Sequence, residues 1–323
     1  MAIGYWTRTL QPGYMPIRMW VEPTNTCNLK CVMCPQSHSD ITFQRGFMEF
    51  ALFQKIVDEA KEFVYDMNLH HTGESLLHPD ILEMIRYAKH AGIYTRMHTN
   101  ATKLDEKMSR GILDAGLDFL SFSFDGYDKA TYEDIRRGAN FEQTLENILR
   151  FLRLKQESGK ERPFTVFEVI DFAAKPGTPS GLLEETPERR AFEKQFEHLP
   201  LDKFVLKAPH NWAGTYDGDG APLHPEKYCA CTFPWYAMAV FWNGNVSPCP
   251  QDFFNHLYLG NLKESGIRDV WHGENAVRLR KKMKTKNFQN LNPCATCDLL
   301  YRDAFVGIPT SHLKNFVRES LGK

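Results

Sequence analysis

The chain has 323 residues, of which 42% are hydrophobic and 24% are charged, and its 39 Lys and Arg residues nearly balance its 40 Asp and Glu residues. This composition is typical of a globular protein with a large core, and it lacks the basic excess of proteins that bind nucleic acids or anionic membranes. No apolar run approaches the length of a membrane span, and the amino terminus lacks the features of a secretory signal. We therefore expect a cytoplasmic protein without a nucleic-acid or membrane partner.

Strand-like and helix-like segments alternate from residue 17 to residue 207. Strands are predicted over 17–23, 65–71, 93–100, 117–126, 163–171 and 202–209. Apolar residues recur at helical spacing between them, which predicts helices over 48–63, 78–92, 105–116, 140–159 and 187–199. A strand followed by a helix, repeated about six times, predicts an α/β fold with parallel strands. Because a closed barrel of this type has about eight units, we expect an open, partial (β/α)6 barrel.

The alternation ends at the sequence GTYDGDGAPLHPE, which is rich in glycine, proline and aspartate. This break predicts an N-terminal extension over 1–16, the partial barrel over 17–213 and a small α+β domain over 214–323. In the last part, YAMAVFWNGNVSPC is predicted to form a hairpin that turns at Asn243-Gly244. A charged helix is predicted around NAVRLRKKMK, and a terminal helix over IPTSHLKNFVRES.

The eight cysteines fall into two groups, a distribution that favours metal binding over use as core filler. Cys27, Cys31 and Cys34 form the first group, in a loop directly after the first strand. A tetrahedral zinc site would need a fourth ligand, for which His38 is the nearest candidate. A [4Fe–4S] cluster normally takes four cysteines, so a cluster held by three would leave one iron open to bind and activate a ligand.

This Cx3Cx2C spacing resembles the cysteine motif of the radical S-adenosylmethionine (SAM) superfamily, and the resemblance runs from about residue 17 to the C-terminus. It implies that the open iron binds the amino and carboxylate groups of SAM. Reduction of the sulfonium then releases a 5′-deoxyadenosyl radical, which takes hydrogen from the substrate. Because the cluster must first be reduced, an external one-electron reductant such as flavodoxin or ferredoxin is the expected partner.

Other segments resemble the SAM-binding motifs of the superfamily. TGES, after the second strand, is similar to the family's Gly-Gly-Glu turn that holds the SAM amino group, with Thr72 in the place of the first glycine. HTN lies where the third strand commonly ends, and SFDG resembles the motif that contacts the ribose and carboxylate. IRRGANF resembles the segment whose arginine pairs with the SAM carboxylate. The resemblance thus implies a SAM site made of Met33, Thr72, Gly73, Glu74, Asn100, Ser123, Asp125 and Arg137.

The C-terminal part resembles the SPASM or twitch domain of the same superfamily, in the subgroup with a single auxiliary cluster. The implied ligands of this second [4Fe–4S] cluster are Cys231, Cys249, Cys294 and Cys297. Cys229 is then a bystander thiol, although a ligand set with Cys229 in place of Cys249 stays open. A structural zinc in this part is the other alternative, because four cysteines at such spacings also suit zinc.

A fully ligated second cluster can accept the electron of a ketyl radical. The sequence therefore favours a dehydrogenase that oxidises an alcohol of a sugar, polyol or aminocyclitol. The required base is sought at the barrel rim, with His210 first, because it lies at the domain junction, and Glu168 next. The weaker candidates are His70, His71, His98 and Lys207.

Three other functions stay open. The first is an epimerase, in which Cys229 or Cys249 would return a hydrogen atom to the substrate radical. The second is a peptide-modifying maturase. The third is a cysteine-rich binding module without enzymatic activity.

Overall fold

The computed structural model of the protein describes residues 2–38, 43–174, 178, 183, 185–212, 228–301, 303–305 and 308–310. Six parallel strands form most of one sheet, and each pairs with the next along the chain. They are β1 (Arg18–Val21), β2 (Asp66–Asn68), β3 (Tyr94–Thr99), β4 (Phe119–Ser123), β5 (Phe164–Ile170) and β6 (Lys203–Lys207). Because β6 forms one edge of the sheet, the barrel is open, and the predicted partial (β/α)6 fold is confirmed.

Helices follow the strands, as the apolar periodicity predicts. They are α3 (Phe50–Ala60), α4 (Ile81–His90), α5 (Glu106–Ala115), α6 (Lys129–Ile135), α7 (Phe141–Glu157) and α8 (Pro187–Glu193). The side chain of Asp105 accepts a hydrogen bond at the start of α5, and that of Asn140 does so at the start of α7. Such caps pair amide groups that the first turn leaves without partners. Three short helices of this part, α1 (Ala2–Trp6), α2 (Pro35–His38) and α6, are additional to the predicted ones.

Alternate residues of each strand face opposite sides of the sheet. In β3, Met97 is fully buried against the outer helices, whereas Arg96 and His98 face the barrel interior and are half-buried. The guanidinium of Arg96 lies 3.9 Å from the ring centroid of Phe119, which stacks on Phe164. These three side chains fill the N-terminal end of the interior, so the space for a ligand lies toward the carboxyl ends of the strands.

The C-terminal part continues the same sheet. It contributes β7 (Ala237–Val240), β8 (Asn245–Ser247) and β9 (Gly260–Asn261). Strand β7 pairs with β1 in parallel, and β7 and β8 form the predicted hairpin. Gly244 at its turn has a φ of 90°, a value that favours glycine. Helices α9 (Ile267–His272) and α10 (Glu274–Lys284) and the short strands β10 (Ala304–Phe305) and β11 (Ile308–Pro309) follow.

Several sequence predictions concern residues outside the described ranges. The proposed domain boundary at residue 213 and the segment 214–226 lie there, as does most of the predicted terminal helix. Within the described part, none of the helices has the length and apolar character needed to cross a membrane.

Candidate active site

The loop of residues 27–34, here called the cysteine loop, is held on the end of α6 by backbone hydrogen bonds. The Lys30 amide donates to the Arg137 carbonyl at 2.9 Å, and the Val32 amide donates to the Ile135 carbonyl at 2.9 Å. Burial raises the pKa of the Cys27 thiol to about 11 and also raises the pKa values of the other two thiols. Because the three thiols lie close together, the pKa of each is raised further by one of the other two. They therefore stay protonated until iron replaces the protons.

The turn at Gly73 packs directly against the backbone that leads into the cysteine loop. A Cβ atom at Gly73 would lie 2.3 Å from the carbonyl oxygen of Thr24 and 2.7 Å from that of Thr26. The next amide, that of Glu74, donates to the Thr26 carbonyl at 2.9 Å. This position therefore requires glycine, and the turn brings Glu74 beside the cysteines.

The buried carboxylate of Glu74 joins the ends of β2 and β3 to the cysteine loop. It accepts hydrogen bonds from the Asn100 amide at 2.7 Å, the Thr99 hydroxyl at 2.8 Å and the Leu76 amide at 3.1 Å. Burial raises the pKa of Glu74, and these hydrogen bonds oppose that rise. The side-chain amide of Asn100 lies 3.8 Å from the sulfur of Cys27. Glu74 is thus held in one orientation within reach of a ligand at the cysteines.

Of the two adjacent arginines, Arg136 and not the predicted Arg137 faces the cysteine loop. Arg136 is buried and its guanidinium lies 2.6 Å from the carboxylate of Asp125, whereas Arg137 is exposed. Burial alone would lower the pKa of Arg136, but Asp125 and Cys31 raise it, so the charge is retained. Asp125 also accepts a hydrogen bond from the Ile170 amide at 2.8 Å. The Nε atom of Arg136 has no hydrogen-bond partner among the described residues, so one donor remains for a ligand.

Two other predicted SAM-binding residues lie near the same rim. Met33 is buried in the cysteine loop, outside the main hydrophobic core. Ser123 ends β4 and is half-buried, in register with Glu168 on β5. Residues in register on neighbouring strands face the same side of the sheet. Ser123 and Glu168 are therefore adjacent in the barrel interior.

The interior near the strand ends contains one ion pair and two neutral histidines. The ammonium of Lys207 lies 2.6 Å from a carboxylate oxygen of Glu168. The rings of His70 and His98 lie 4.4 Å apart, and burial lowers the pKa of each, to about 3 for His98. Both histidines are therefore uncharged near neutral pH, and Glu168 is the anionic group among these four residues.

His210, the first choice for the base, follows β6 and stacks on Trp212 with ring centroids 4.0 Å apart. Its Nδ1 atom accepts a hydrogen bond from the Trp212 amide at 2.9 Å. Burial lowers the pKa of His210, so the ring is neutral near pH 7. A neutral ring that accepts through Nδ1 carries its proton on Nε2. In this tautomer the Nε2 atom of His210 is a hydrogen-bond donor.

The loop after β6 is joined to the second group of cysteines. The Asn211 amide donates to the carboxylate of Asp298 at 3.2 Å, and its side chain donates to the Thr296 carbonyl at 2.7 Å. Thr296 and Asp298 flank Cys297 in the sequence. The polar end of the barrel interior therefore lies next to the second cysteine site.

Four cysteines line one cavity in the C-terminal part, here called the auxiliary cavity. They are Cys231, Cys249, Cys294 and Cys297, and the other walls are mainly apolar side chains. Burial raises the pKa of Cys249, and the neighbouring thiols of Cys231 and Cys297 raise it further. Cys229 does not line this cavity: it is 2% exposed and its sulfur lies 3.7 Å from the hydroxyl of Tyr5.

Within the described ranges, no three His, Cys, Asp or Glu side chains are grouped closely enough to hold one metal ion. A cubane cluster binds each cysteine through a separate iron, so its thiols stand further apart than those around one ion. The side chain of His38 lies outside the described residues.

A buried aspartate that the sequence analysis did not select holds the loop of Cys249. Asp252 accepts hydrogen bonds from the Ser247 hydroxyl at 2.8 Å and from the amides of His256 and Leu257, each at 2.8 Å. The Ser247 hydroxyl in turn accepts from the Cys249 amide at 3.3 Å. The sequence CPQD, in which an aspartate follows a cysteine closely, is the signal that could have indicated such a turn.

Comparison with known proteins identifies the family. The sequence model described as the radical SAM superfamily matches residues 21–165, and that described as an iron–sulfur cluster-binding domain matches residues 229–298. The chain is 33% identical over 312 residues to the AdoMet-dependent heme synthase of Methanosarcina barkeri, with 86% of this chain and 87% of the relative covered. The chain belongs to the radical SAM superfamily. The predicted cofactors are thereby confirmed: SAM, a [4Fe–4S] cluster and an additional iron–sulfur cluster in the C-terminal part.

Other relatives of this radical SAM enzyme have different names. It is 28% identical over 342 residues to the tungsten-containing aldehyde ferredoxin oxidoreductase cofactor-modifying protein of Pyrococcus furiosus, with 91% of this chain and 90% of the relative covered. It is 23% identical over 282 residues to the S-adenosyl-L-methionine-dependent 2-deoxy-scyllo-inosamine dehydrogenase of Niallia circulans, with 86% of this chain and 91% of the relative covered. The crystal structure of BtrN in complex with AdoMet and 2-DOIA superimposes with a TM-score of 0.56 at 19% identity, covering 88% of this chain and 93% of that one. The last comparison shows a shared fold.

A buried bridge connects the two cysteine sites of the radical SAM enzyme. Glu22, at the end of β1, accepts hydrogen bonds from the amides of Thr72 and Trp242 and from the Thr72 hydroxyl. The Nδ1 atom of His71 lies 3.4 Å from the Glu22 carboxylate, and its Nε2 atom lies 3.0 Å from the carbonyl oxygen of Pro250. Pro250 directly follows Cys249. The hydroxyl of Thr72 is thus already bonded to Glu22, and His71 links the β2 turn to the auxiliary cavity.

We expect the substitution His71→Phe to lower the free energy of unfolding by about 1–3 kcal/mol, because it leaves the Pro250 carbonyl without its hydrogen-bond donor. A phenyl ring would keep the contacts with Phe241 and Phe253. Urea unfolding under anaerobic conditions measures the change. The matched control is His90→Phe on the exposed end of α4, which should change stability by less than about 0.5 kcal/mol. Equal effects of the two substitutions would contradict the bridge.

Proposed function

We propose that this radical SAM enzyme oxidises an alcohol group of a small polar molecule, such as a sugar, a polyol or an aminocyclitol, bound in the barrel interior. When bound, SAM and the two clusters supply a radical that removes the hydrogen atom from the carbinol carbon and a site that accepts the remaining electron. One observation carries the proposal: the polar end of the interior is joined through Asn211 to the loop of Cys297. A substrate there would lie between the SAM site and the electron acceptor.

The SAM site follows from the rim residues. Glu74 would accept the SAM amino group, and Arg136, held by Asp125, would donate from Nε to the SAM carboxylate. Asn100 orients Cys27. Gly73 keeps the turn close to the cysteine loop. Met33 and Ser123, which are also predicted to contact SAM, lie at the same rim of the barrel.

Glu168 would serve as the base that takes the proton of the substrate hydroxyl. It lies in the interior beside Ser123, and only one of its two carboxylate oxygens pairs with the ammonium of Lys207. His210 would donate a hydrogen bond to the substrate oxygen, because its Nδ1 atom already accepts from Trp212. In this proposal Glu168 is therefore the first candidate for the base, whereas the sequence analysis placed His210 first.

The placement of the cysteines gives no support to an epimerase. A hydrogen donor must reach the substrate carbon, but Cys229 is buried beside Tyr5 and Cys249 lines the auxiliary cavity with three other thiols. The dehydrogenase reading is further supported by the relative of that name from Niallia circulans. No described feature favours a peptide as the substrate.

The test is product analysis with anaerobically reconstituted enzyme, SAM, a chemical reductant and a panel of polyols and aminocyclitols that includes 2-deoxy-scyllo-inosamine. We expect a carbonyl product and about one 5′-deoxyadenosine per product. Glu168→Gln should still cleave SAM but should form the carbonyl about 10²–10⁴-fold more slowly, because the hydroxyl proton has no acceptor. Glu161→Gln, at an exposed position before β5, is the matched control and should keep full activity.

Two results would contradict this proposal. Deuterium at the reacting carbon in heavy water, without a carbonyl product, would indicate an epimerase. Equal carbonyl formation by the wild type and Glu168→Gln would exclude Glu168 as the base.

A further inference from the structure

Helix α10 places a cluster of cations on the outer surface beside the auxiliary cavity. The residues of this basic face are Arg278, Lys281, Lys282 and Lys284 of α10 and Lys286 just after the helix, and all but the half-buried Lys282 are exposed. No Asp or Glu occurs between residues 275 and 290, although the whole chain has a formal net charge of −1. None of the five cations forms an ion pair with a carboxylate in the described ranges. The basic face is thus a local excess of positive charge on a nearly neutral protein.

The opposite side of the same helix forms a wall of the auxiliary cavity. Leu279 and Met283 of α10 line that cavity together with its four cysteines. Arg280, by contrast, is buried and donates to the carbonyls of Pro234 and Trp271 at 2.9 and 3.0 Å, so it fixes the helix and adds nothing to the surface charge. A helix with its side chains is about 10–12 Å across. The basic face is therefore separated from the cysteines by the width of one helix.

We propose that the basic face of α10 docks an acidic one-electron carrier protein of the flavodoxin class, which exchanges electrons with the auxiliary cluster. This inference rests on the proposed function, in which the oxidised substrate leaves one electron on that cluster. One electron then passes from the reduced cluster to the oxidised carrier, which becomes the semiquinone, and the cluster returns to its oxidised state. The positive face attracts the acidic carrier, and complementary charge raises the rate of such encounters.

The test compares two double charge reversals in the holoenzyme. Lys281→Glu/Lys284→Glu changes the basic face, and Lys103→Glu/Lys107→Glu changes two equally exposed lysines at α5. Binding of purified bacterial flavodoxin is measured by calorimetry, and electron exchange by the semiquinone absorbance. We expect the α10 variant to weaken binding at least about tenfold at low salt, and the difference from wild type to shrink near 0.5 M salt. The α5 variant should stay within about twofold of wild type.

Three outcomes would overturn the docking proposal. They are equal flavodoxin binding by the α10 variant and the wild type, an equal loss in the α5 control, and tighter binding of a DNA duplex than of flavodoxin to the basic face. Reduction of the clusters by dithionite, followed by electron paramagnetic resonance, shows that the variants retain both clusters. Carbonyl formation with a chemical reductant is measured separately. If it persists while the docking test fails, only the docking proposal falls.

Discussion

Replacing Cys31 by serine is expected to abolish SAM cleavage and to remove one of the two clusters. Cys27, Cys31 and Cys34 lie close together in the cysteine loop, and a cluster with one open iron has no spare protein ligand. The iron content should fall from about eight to about four atoms per chain. The reduced variant should retain the electron paramagnetic resonance signal of the auxiliary cluster. Formation of 5′-deoxyadenosine should fall to the background without enzyme.

Cys229→Ser is the matched control, because Cys229 is a buried thiol that does not line the auxiliary cavity. It should keep both clusters and most of the activity. Cys249→Ser, which removes a thiol that does line the cavity, should keep SAM cleavage but lose the auxiliary signal and the carbonyl product. If Cys229→Ser lost the auxiliary cluster and Cys249→Ser retained it, the ligand set that contains Cys229 would be the correct one.

The second large effect is expected for Arg136→Met, which leaves the carboxylate of Asp125 buried without its partner. Removing one member of a buried ion pair typically costs about 3–5 kcal/mol, and the same substitution removes the donor proposed for the SAM carboxylate. The free energy of unfolding and the affinity for SAM should therefore both fall, the latter measured by equilibrium dialysis. Arg137→Met, at the exposed neighbouring position, should leave stability nearly unchanged.

The loss of folding stability caused by Arg136→Met should depend on pH in a defined direction. Burial raises the pKa of Asp125 in the folded protein, and Arg136 opposes that rise. Without the arginine the folded-state pKa lies further above the unfolded-state value, so folding of the variant favours the protonated carboxyl. The difference in stability from wild type should therefore grow as the pH rises and shrink as it falls, which unfolding between about pH 6 and pH 8 can measure. Asp125→Asn in the Arg136→Met background should recover part of the loss. A loss of stability that is constant with pH would contradict the pairing of Arg136 with Asp125.

The local architecture could be predicted because it follows from short-range patterns. Apolar periodicity indicates the six strand-and-helix units, and Asn243-Gly244 indicates the hairpin. The pairing of β7 with β1 has no such signal, because the contact between Glu22 and Trp242 joins residues 220 apart. The short helices α1, α2, α6 and α9 have no clear sequence signal for a related reason: in helices this short, packing decides the conformation more than propensity does.

The candidate site was predictable in the residue types of its motifs but not in the orientation of its side chains. The sequence IRRGANF offers two adjacent arginines, and only packing against Asp125 distinguishes the buried Arg136 from the exposed Arg137. His210 was a reasonable base by position, yet the hydrogen bond from Trp212 decides its tautomer. The bridge of Glu22 and His71 has no sequence signal, because its contacts with Trp242 and Pro250 form only when the C-terminal part packs against the barrel.

The pairing of β1 with β7 also has a consequence for synthesis of the chain on the ribosome. β1 is made early, but the strand that covers its second edge, β7, emerges only after residue 240 has left the exit tunnel. Until then the nascent barrel exposes an unpaired strand edge, which invites pairing with other chains. A product that stops near residue 213 should consequently aggregate, and insertion of the auxiliary cluster should await synthesis of the chain beyond Cys297.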